Sequence, residues 1–206
     1  MRTIRADTEL REVIGAPSEV VVSKLADHLN SLTRRFIEAS PFLCIATSSP
    51  DGRCDVSPRG DPAGFVRILD DRTLLIPDRP GNRIADTLRN ILSNPHVGLV
   101  FLIPGIGDSF RVNGRAAVID DPELLAASAI DGRVPRLGIL VEIEEAYTQC
   151  SKALIRSDLW NSEHHIDREQ LPSSGEILRS LRDDDFGAEH YDAERAKRYA
   201  RGDGLY

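Results

Sequence analysis

The spacing of apolar residues predicts short strands that alternate irregularly with helices. Residues 17–39 carry apolar side chains at three- and four-residue steps, which is the period of an amphipathic helix. Residues 42–48 are mainly apolar and partly β-branched, which favours a strand. Residues 49–52 contain the Pro and Gly of a tight turn, so residues 53–57 complete a predicted β-hairpin.

The same criteria predict five further strands and several short helices. The strands are 64–69, 73–76, 96–103, 109–119 and 138–147. The helices are about 82–92, a short one capped by Asp121, and 152–159, 173–183 and 193–201. This order favours a mainly β, α+β chain built as an antiparallel barrel or sandwich, and it is too irregular for a doubly wound parallel sheet.

Composition adds bounds on size, compartment and partners. The 206 residues predict a single domain over 1–206, with an N-terminal helix at about 17–39 and a C-terminal helical extension at about 152–206. The net charge of −7 argues against nucleic-acid binding. Three cysteines in no zinc or disulfide pattern indicate a reducing cytoplasm, and no apolar run reaches membrane-spanning length.

The turn after the fourth predicted strand is the strongest candidate for ligand chemistry. Arg79 and Arg83 flank a Pro/Gly turn, and a helix is predicted to begin at about Asn82. A helix start offers free N–H groups, and guanidinium groups pair two oxygens at once, so this segment predicts a phosphate site. The alternative is a solvated turn beside an exposed helix.

Two other segments carry weaker indications. Arg59 lies beside Gly60 and Asp61 in a strand-end loop, where it could either contact a ligand or form a surface salt bridge with Asp61. Ser151 could be an ordinary helix N-cap. Lys152 opposes the helix dipole at that position, which favours an acidic side chain or an anionic ligand as its partner.

Four motifs occur in one order and together resemble a known family. They are Ser57-Pro58-Arg59-Gly60-Asp61, Ile76-Pro77-Asp78-Arg79-Pro80-Gly81-Asn82-Arg83, Arg111-Val112-Asn113-Gly114 and Cys150-Ser151-Lys152-Ala153-Leu154-Ile155-Arg156-Ser157, with Leu159-Trp160 close behind. The sequence resembles the pyridoxamine 5′-phosphate oxidase-like family of FMN-binding split barrels, and more closely an uncharacterised bacterial subfamily of it.

The resemblance implies a six-stranded antiparallel split β-barrel and a homodimer with two FMN sites at the subunit interface. It implies a flavoprotein, an FMN-dependent oxidoreductase acting on an unidentified small molecule. The cofactor-binding residues that it implies are Arg59, Gly60, Asp61, Ile76, Pro77, Asp78, Arg79, Asn82, Arg83, Gln149, Ser151 and Lys152. The last three would contact the ring region from the partner subunit.

One position departs from the subfamily pattern, because Gln149 stands where a His is expected and cannot titrate. No residue is therefore assigned a catalytic role, and no metal site is expected. Three alternatives stay open: a protein that stores or senses FMN or haem, a deazaflavin-dependent reductase, and a cofactor-free dimerising barrel. A deazaflavin carries a longer acidic tail and would need a more extended basic groove.

Overall fold

A computed structural model describes residues 1–182 and 184–206 of the chain, with one antiparallel sheet at its centre. The strands in this part of the chain are β1 (Phe42–Ser48), β2 (Cys54–Gly60), β3 (Arg67–Ile68), β4 (Thr73–Asp78), β5 (His96–Leu102), β6 (Ser109–Ile119) and β7 (Leu137–Gln149). Their order in the sheet is β2-β1-β5-β6-β7-β4-β3, and every neighbouring pair is antiparallel.

Short helices flank the sheet and lie mainly at the two ends of the chain. The helices in the described residues are α1 (Asp7–Ile14), α2 (Glu19–Val22), α3 (Arg34–Ala39), α4 (Asp86–Ser93), α5 (Pro122–Ala126), α6 (Lys152–Ser157), α7 (Ser174–Ser180) and α8 (Ala188–Ala200). None of them is long and apolar enough to cross a membrane.

The sheet confirms the expected architecture in part. A mainly antiparallel sheet with flanking helices is present, but the expectation of a six-stranded split barrel is wrong. The described sheet has seven strands and two free ends, β2 and β3, with no backbone pairing between those ends. The predicted strand at 64–69 contributes only the two residues of β3, whose partners on β4 are Leu75 and Leu74.

The core lies inside the curled sheet and is closed by α3. Phe101 and Phe110 are almost fully buried at its centre, and Phe36 of α3 stacks on Phe110 with ring centroids 5.7 Å apart. A shift in strand register between Asn113 and Gly114 marks a bulge in the β6–β7 pair. Because a β-bulge increases local twist, it helps the sheet to curl around this core.

The single helix predicted at 17–39 is wrong. The segment instead forms α2 and α3, and Ala26 between them makes an isolated antiparallel bridge to Ala146 of β7. The Asn30 side chain accepts hydrogen bonds from the backbone N–H groups of Leu32 and Thr33, both at 2.9 Å. Such local turns compete with helical hydrogen bonds, so an apolar period of 3.6 does not secure a continuous helix here.

Other sequence predictions of helices stand closer to the structure. Asp121 caps α5 by accepting from the N–H groups of the next residues, as predicted. Ser173 caps α7, where it forms a reciprocal capping box with Glu176. The predicted end of that helix, Asp183, lies outside the described residues. Helix α8 begins five residues before the predicted 193.

Candidate cofactor site

Two ion pairs join the ends of β2 and β4, although these strands are far apart in the order of the sheet. Arg59 on β2 donates to Asp78 on β4, and Arg79 just beyond β4 donates to Asp61 just beyond β2 at 2.7 Å. The side chains are largely buried, with Asp61 only 3% exposed. The curl of the sheet therefore brings its margins together, and side chains rather than backbone groups connect them.

A cavity of about 920 Å³ opens beside these ion pairs. Its walls come from the end of β2, the end of β4, the loop into α4, the first turns of α4 and the last residues of the chain. This volume is in the usual range for sites that enclose a small organic ligand.

The cavity gathers most of the residues that the sequence analysis proposed. Eight of them line it, namely Arg59, Gly60, Asp61, Pro77, Asp78, Arg79, Asn82 and Arg83. Ile76 does not line it, because its side chain is fully buried in the core and its backbone pairs with Ile139 of β7. Segments that are 16 or more residues apart in sequence therefore meet at one cavity.

The predicted start of the following helix is wrong. Helix α4 begins at Asp86 rather than at about Asn82. The Asn82 side chain accepts from the N–H of Ile84 at 3.0 Å, while Arg83 and Ala85 have left-handed backbone angles with φ of 64° and 59°. The loop beside the cavity therefore offers side-chain cations, and no helix start lies at Asn82 to help bind an anion.

The three arginines of the cavity differ in how they are engaged. Arg79 gives Nε to Asp61 and Nη2 to the carbonyl oxygen of Ser128, at 2.7 and 2.9 Å. Arg59 gives Nη1 to Asp78, whereas its buried Nε has no hydrogen-bond partner. Arg83 is exposed at the rim and forms no ion pair with any described residue. A buried unpartnered donor is costly, so Arg59 Nε is suited to an acceptor entering the cavity.

Two polar residues of the cavity were missed in the sequence analysis. Asp55 of β2 accepts a hydrogen bond from Thr87 Oγ1 of α4 at 2.8 Å, and Thr87 is almost fully buried. This contact fixes α4 against the sheet margin. Neither residue belongs to a motif, and only the spatial approach of β2 and α4 connects them.

The end of the chain was also missed. Gly204, Leu205 and Tyr206 line the cavity, and the ring of Tyr206 lies over the Arg79 guanidinium with Cζ 5.4 Å from the ring centroid. The last segment is polar in sequence. No local pattern could have predicted a contact between residues 127 positions apart.

Gln149, Ser151 and Lys152 lie away from this cavity. Within β7 the residue next to the cavity is Leu137, which pairs with Asp78, whereas Gln149 at the far end pairs with Ser109. These ends are separated by about 40 Å of strand at roughly 3.3 Å per residue. One subunit alone therefore does not bring the two groups of predicted residues together.

The far end of β7 carries its own cationic cluster. The Lys24 and Arg111 side chains both lie over the Tyr147 ring, at 5.8 and 5.2 Å from its centroid. A hydrogen bond from the backbone of Lys152, together with the Gln149 amide and nearby lysine charges, lowers the pKa of the exposed Cys150 thiol. The hydrogen bonds to the thiol and the lysine charges favour negative charge at Cys150.

Trp160 follows α6 and serves a structural contact. Its indole N–H donates to the carbonyl oxygen of Ile106 at 2.9 Å, so it attaches the segment after α6 to the loop between β5 and β6. Among the described residues, no group of three or more His, Cys, Asp or Glu side chains is placed to hold a metal ion.

Comparison with known families assigns the chain. Residues 29–150, more than half of the chain, match the model of the family described as pyridoxamine 5′-phosphate oxidase. The chain belongs to this family. The match includes the cavity residues on β2, β4 and the loop before α4, and it ends before Ser151 and the tail. No curated protein sequence matches the chain.

Several solved structures are similar in fold to this chain. HupZ of Group A Streptococcus is 17% identical with a TM-score of 0.49, covering 60% of this chain and 95% of its own. A putative pyridoxamine 5′-phosphate oxidase of Lactobacillus delbrueckii is 21% identical, with a TM-score of 0.46 and coverage of 59% and 95%. An FMN-binding protein of Syntrophomonas wolfei is 14% identical, with a TM-score of 0.42 and coverage of 69% and 92%. These scores are modest, and the family assignment rests on the sequence match.

Proposed function

We propose that this family member binds FMN in the cavity between the ends of β2 and β4 and acts as an FMN-dependent oxidoreductase on a small molecule. The observation that carries this proposal is the cavity of about 920 Å³ lined by eight of the proposed cofactor residues. Membership of the family supports it, since the matched residues include all eight.

The side chains of the cavity fit the phosphate of FMN. Arg83 supplies a positive charge that no described carboxylate neutralises, and Arg59 retains the unpartnered Nε donor. The carboxylates of Asp61 and Asp78 hold Arg79 and Arg59 in fixed orientations, which limits the entropy lost when an anion binds. Asn82 keeps its amide N–H groups for the same anion because its oxygen accepts from the backbone.

The flavin ring is largely apolar and requires apolar side chains beside it. Phe65, Pro77 and Leu88 supply apolar surface in the same cavity. In the proposed homodimer, Gln149, Ser151 and Lys152 of the second subunit would complete the site. A two-fold axis makes such sharing reciprocal, so each dimer would hold two equivalent flavins.

FMN supplies electron or hydride transfer when bound, while the protein supplies position, charge and exclusion of water. The Gln149 amide can donate and accept hydrogen bonds, but it does not act as an acid or a base at neutral pH. A side-chain acid at that position is therefore not part of the proposed mechanism. The cation of Lys152 would stabilise negative charge that develops on the ring region.

The absorbance spectrum of protein purified without added cofactor tests this proposal. Flavin bands that are bleached by a reduced nicotinamide donor and return with a substrate support an FMN oxidoreductase. Flavin bands without any turnover support the alternative of storage or sensing. A haem Soret band, or a colourless protein that fails to bind added FMN, contradicts the proposal.

A further inference from the structure

A second cavity of about 580 Å³ adjoins the proposed flavin site. Five residues line both cavities, namely Asp78, Arg79, Pro80, Arg83 and Tyr206. The rest of the second wall is residues 133–137, which lead into β7. The two spaces are therefore neighbours, with Arg79 and Tyr206 at their common wall.

The second cavity carries the larger excess of arginines over carboxylates. The second is lined by Arg79, Arg83, Arg133 and Arg136 against one side-chain carboxylate, Asp78, which already pairs with Arg59, and against the backbone oxygen of Tyr206, to which Arg133 donates. The first is lined by three arginines against four aspartates, since Asp55 and Asp86 also face it. In a chain of net charge −7, the second cavity is thus a local concentration of positive charge.

Most of the guanidinium donors in the second cavity are not used by the protein. Arg83 and Arg136 form no hydrogen bond or ion pair through their side chains within the described chain, and both are exposed. Arg133 gives Nη1 to the carbonyl oxygen of Tyr206 at 3.1 Å. Like charges gathered without an anion repel one another, so the arrangement favours a bound anion.

The backbone holds these arginines in place. Residues 130–133 form a tight turn in which Ile130 and Arg133 exchange backbone hydrogen bonds, with left-handed angles at Asp131 and Gly132. Pro135 is buried, and Leu137 pairs with Asp78 at the start of β7. Arg133 and Arg136 are therefore fixed on either side of a buried proline beside the flavin cavity.

We propose that Arg133 and Arg136 form a second anion-binding site for a carboxylate or phosphate group other than the FMN phosphate, with Arg83 at the wall that the two cavities share. The inference rests on the proposed function, because that function places a flavin in the adjoining first cavity. Two sources share this chemistry: a free acidic substrate held beside the flavin, and the acidic tail of a deazaflavin that replaces FMN. Tyr206 would set the width of the opening between the two cavities.

Inorganic phosphate is the first probe, titrated by calorimetry into FMN-loaded and into cofactor-free protein. In the FMN-loaded form, where the flavin phosphate occupies the first site, the double variant Arg133→Gln/Arg136→Gln is expected to weaken phosphate binding at least tenfold. The control Arg5→Gln/Arg35→Gln removes the same charge from exposed positions outside both cavities and is expected to change it less than twofold. Arg133→Lys/Arg136→Lys, which keeps the charge, should restore much of the affinity.

The source of the anion follows from a second titration, with a deazaflavin cofactor bearing an oligoglutamate tail and the same cofactor without it. If the tail occupies the site, it strengthens binding to the wild-type protein, adds nothing in Arg133→Gln/Arg136→Gln and competes with phosphate. If a free acidic substrate occupies the site, the tail adds nothing and phosphate binds equally well to the FMN-loaded protein.

Two results overturn the second site. They are a wild-type protein that binds no phosphate at millimolar concentration, and equal phosphate binding by the double variant and its control. Failure of the flavin proposal gives a different result from failure of the second site. FMN would then not bind the wild-type protein, while Arg133→Gln/Arg136→Gln would still weaken phosphate binding in the cofactor-free form.

Discussion

Arg79 donates from Nε to Asp61 at 2.7 Å, and this ion pair links the two margins of an otherwise open sheet. Asp61 is 3% exposed and Arg79 15% exposed, so removal of the carboxylate leaves a largely buried cation without its partner. We predict that Asp61→Asn lowers the free energy of unfolding by about 3 kcal/mol. Chemical denaturation followed by circular dichroism measures this loss.

The matched control for Asp61 is Glu194→Gln, which removes the carboxylate of an exposed pair with Lys197 on α8. Exposed pairs contribute little, so this change should stay within about 0.5 kcal/mol of the wild-type stability. Equal stabilities for the two variants would show that the Arg79–Asp61 pair does not hold the margins together.

The bulge at Gly114 makes a second prediction about the fold. A Cβ atom at this position would lie 2.0 Å from the carbonyl oxygen of Glu142, which is backbone and cannot move aside alone. We expect Gly114→Ala to cost about 3 kcal/mol or more, since the β6–β7 pair must shift. Gly81→Ala is the control, because no atom lies within 4 Å of its added Cβ. A thermal unfolding temperature that is the same in both variants would refute this account of the bulge.

Cys150 provides a prediction about pH. The backbone hydrogen bond from Lys152, the Gln149 amide and the lysine charges lower the pKa of the folded thiol, so its thiolate persists to lower pH than in the unfolded chain. Alkylation of Cys150 by iodoacetamide, followed by mass spectrometry, should therefore have a midpoint below that of the unfolded protein. Lys152→Met keeps the backbone hydrogen bond and removes only the side-chain charge, so it should raise the midpoint slightly, and a midpoint that does not move would show that this charge does not act on the thiol.

Subunit mixing tests the shared site. We predict that Arg83→Ala and Lys152→Ala each weaken FMN binding at least tenfold, because each would remove one side of both sites in the proposed dimer. In a random equimolar mixture, about half of the dimers would contain one subunit of each variant. Each of these mixed dimers would have one intact site out of two, so about a quarter of all sites would be restored. Mixing Arg83→Ala with itself is the control. If mixing restores no flavin binding, Arg83 and Lys152 do not serve the same site from different subunits.

The strand pattern could be predicted from the sequence because alternation and turn residues are local. Strand β6 has the predicted bounds, and Asp121 caps α5 as expected. That the sheet stays open could not be predicted in this way. It depends on whether β2 and β4 pair through backbone or through side chains such as Arg59 and Asp78, and apolar spacing does not report on that.

The candidate site was predictable where its residues lie in compact motifs. Arg79, Asn82 and Arg83 follow a strand in a Pro/Gly turn, and the structure places them in one cavity. The start of α4 was not predictable from periodicity, because the Asn82 side chain forms a local turn that delays the helix. Tyr206 was missed for another reason, since its contact with Arg79 is made only in the folded chain.

The affinity of the Arg83→Ala variant for FMN tests the central claim most directly. Arg83 pairs with no carboxylate in the part of the chain that the structure describes, unlike Arg79, so its loss reports on the ligand rather than on stability. The account predicts a dissociation constant at least tenfold weaker, on the order of 1.5–3 kcal/mol for a charge-assisted contact, with Arg35→Ala unchanged. FMN bound as tightly by Arg83→Ala as by the wild-type protein would contradict it.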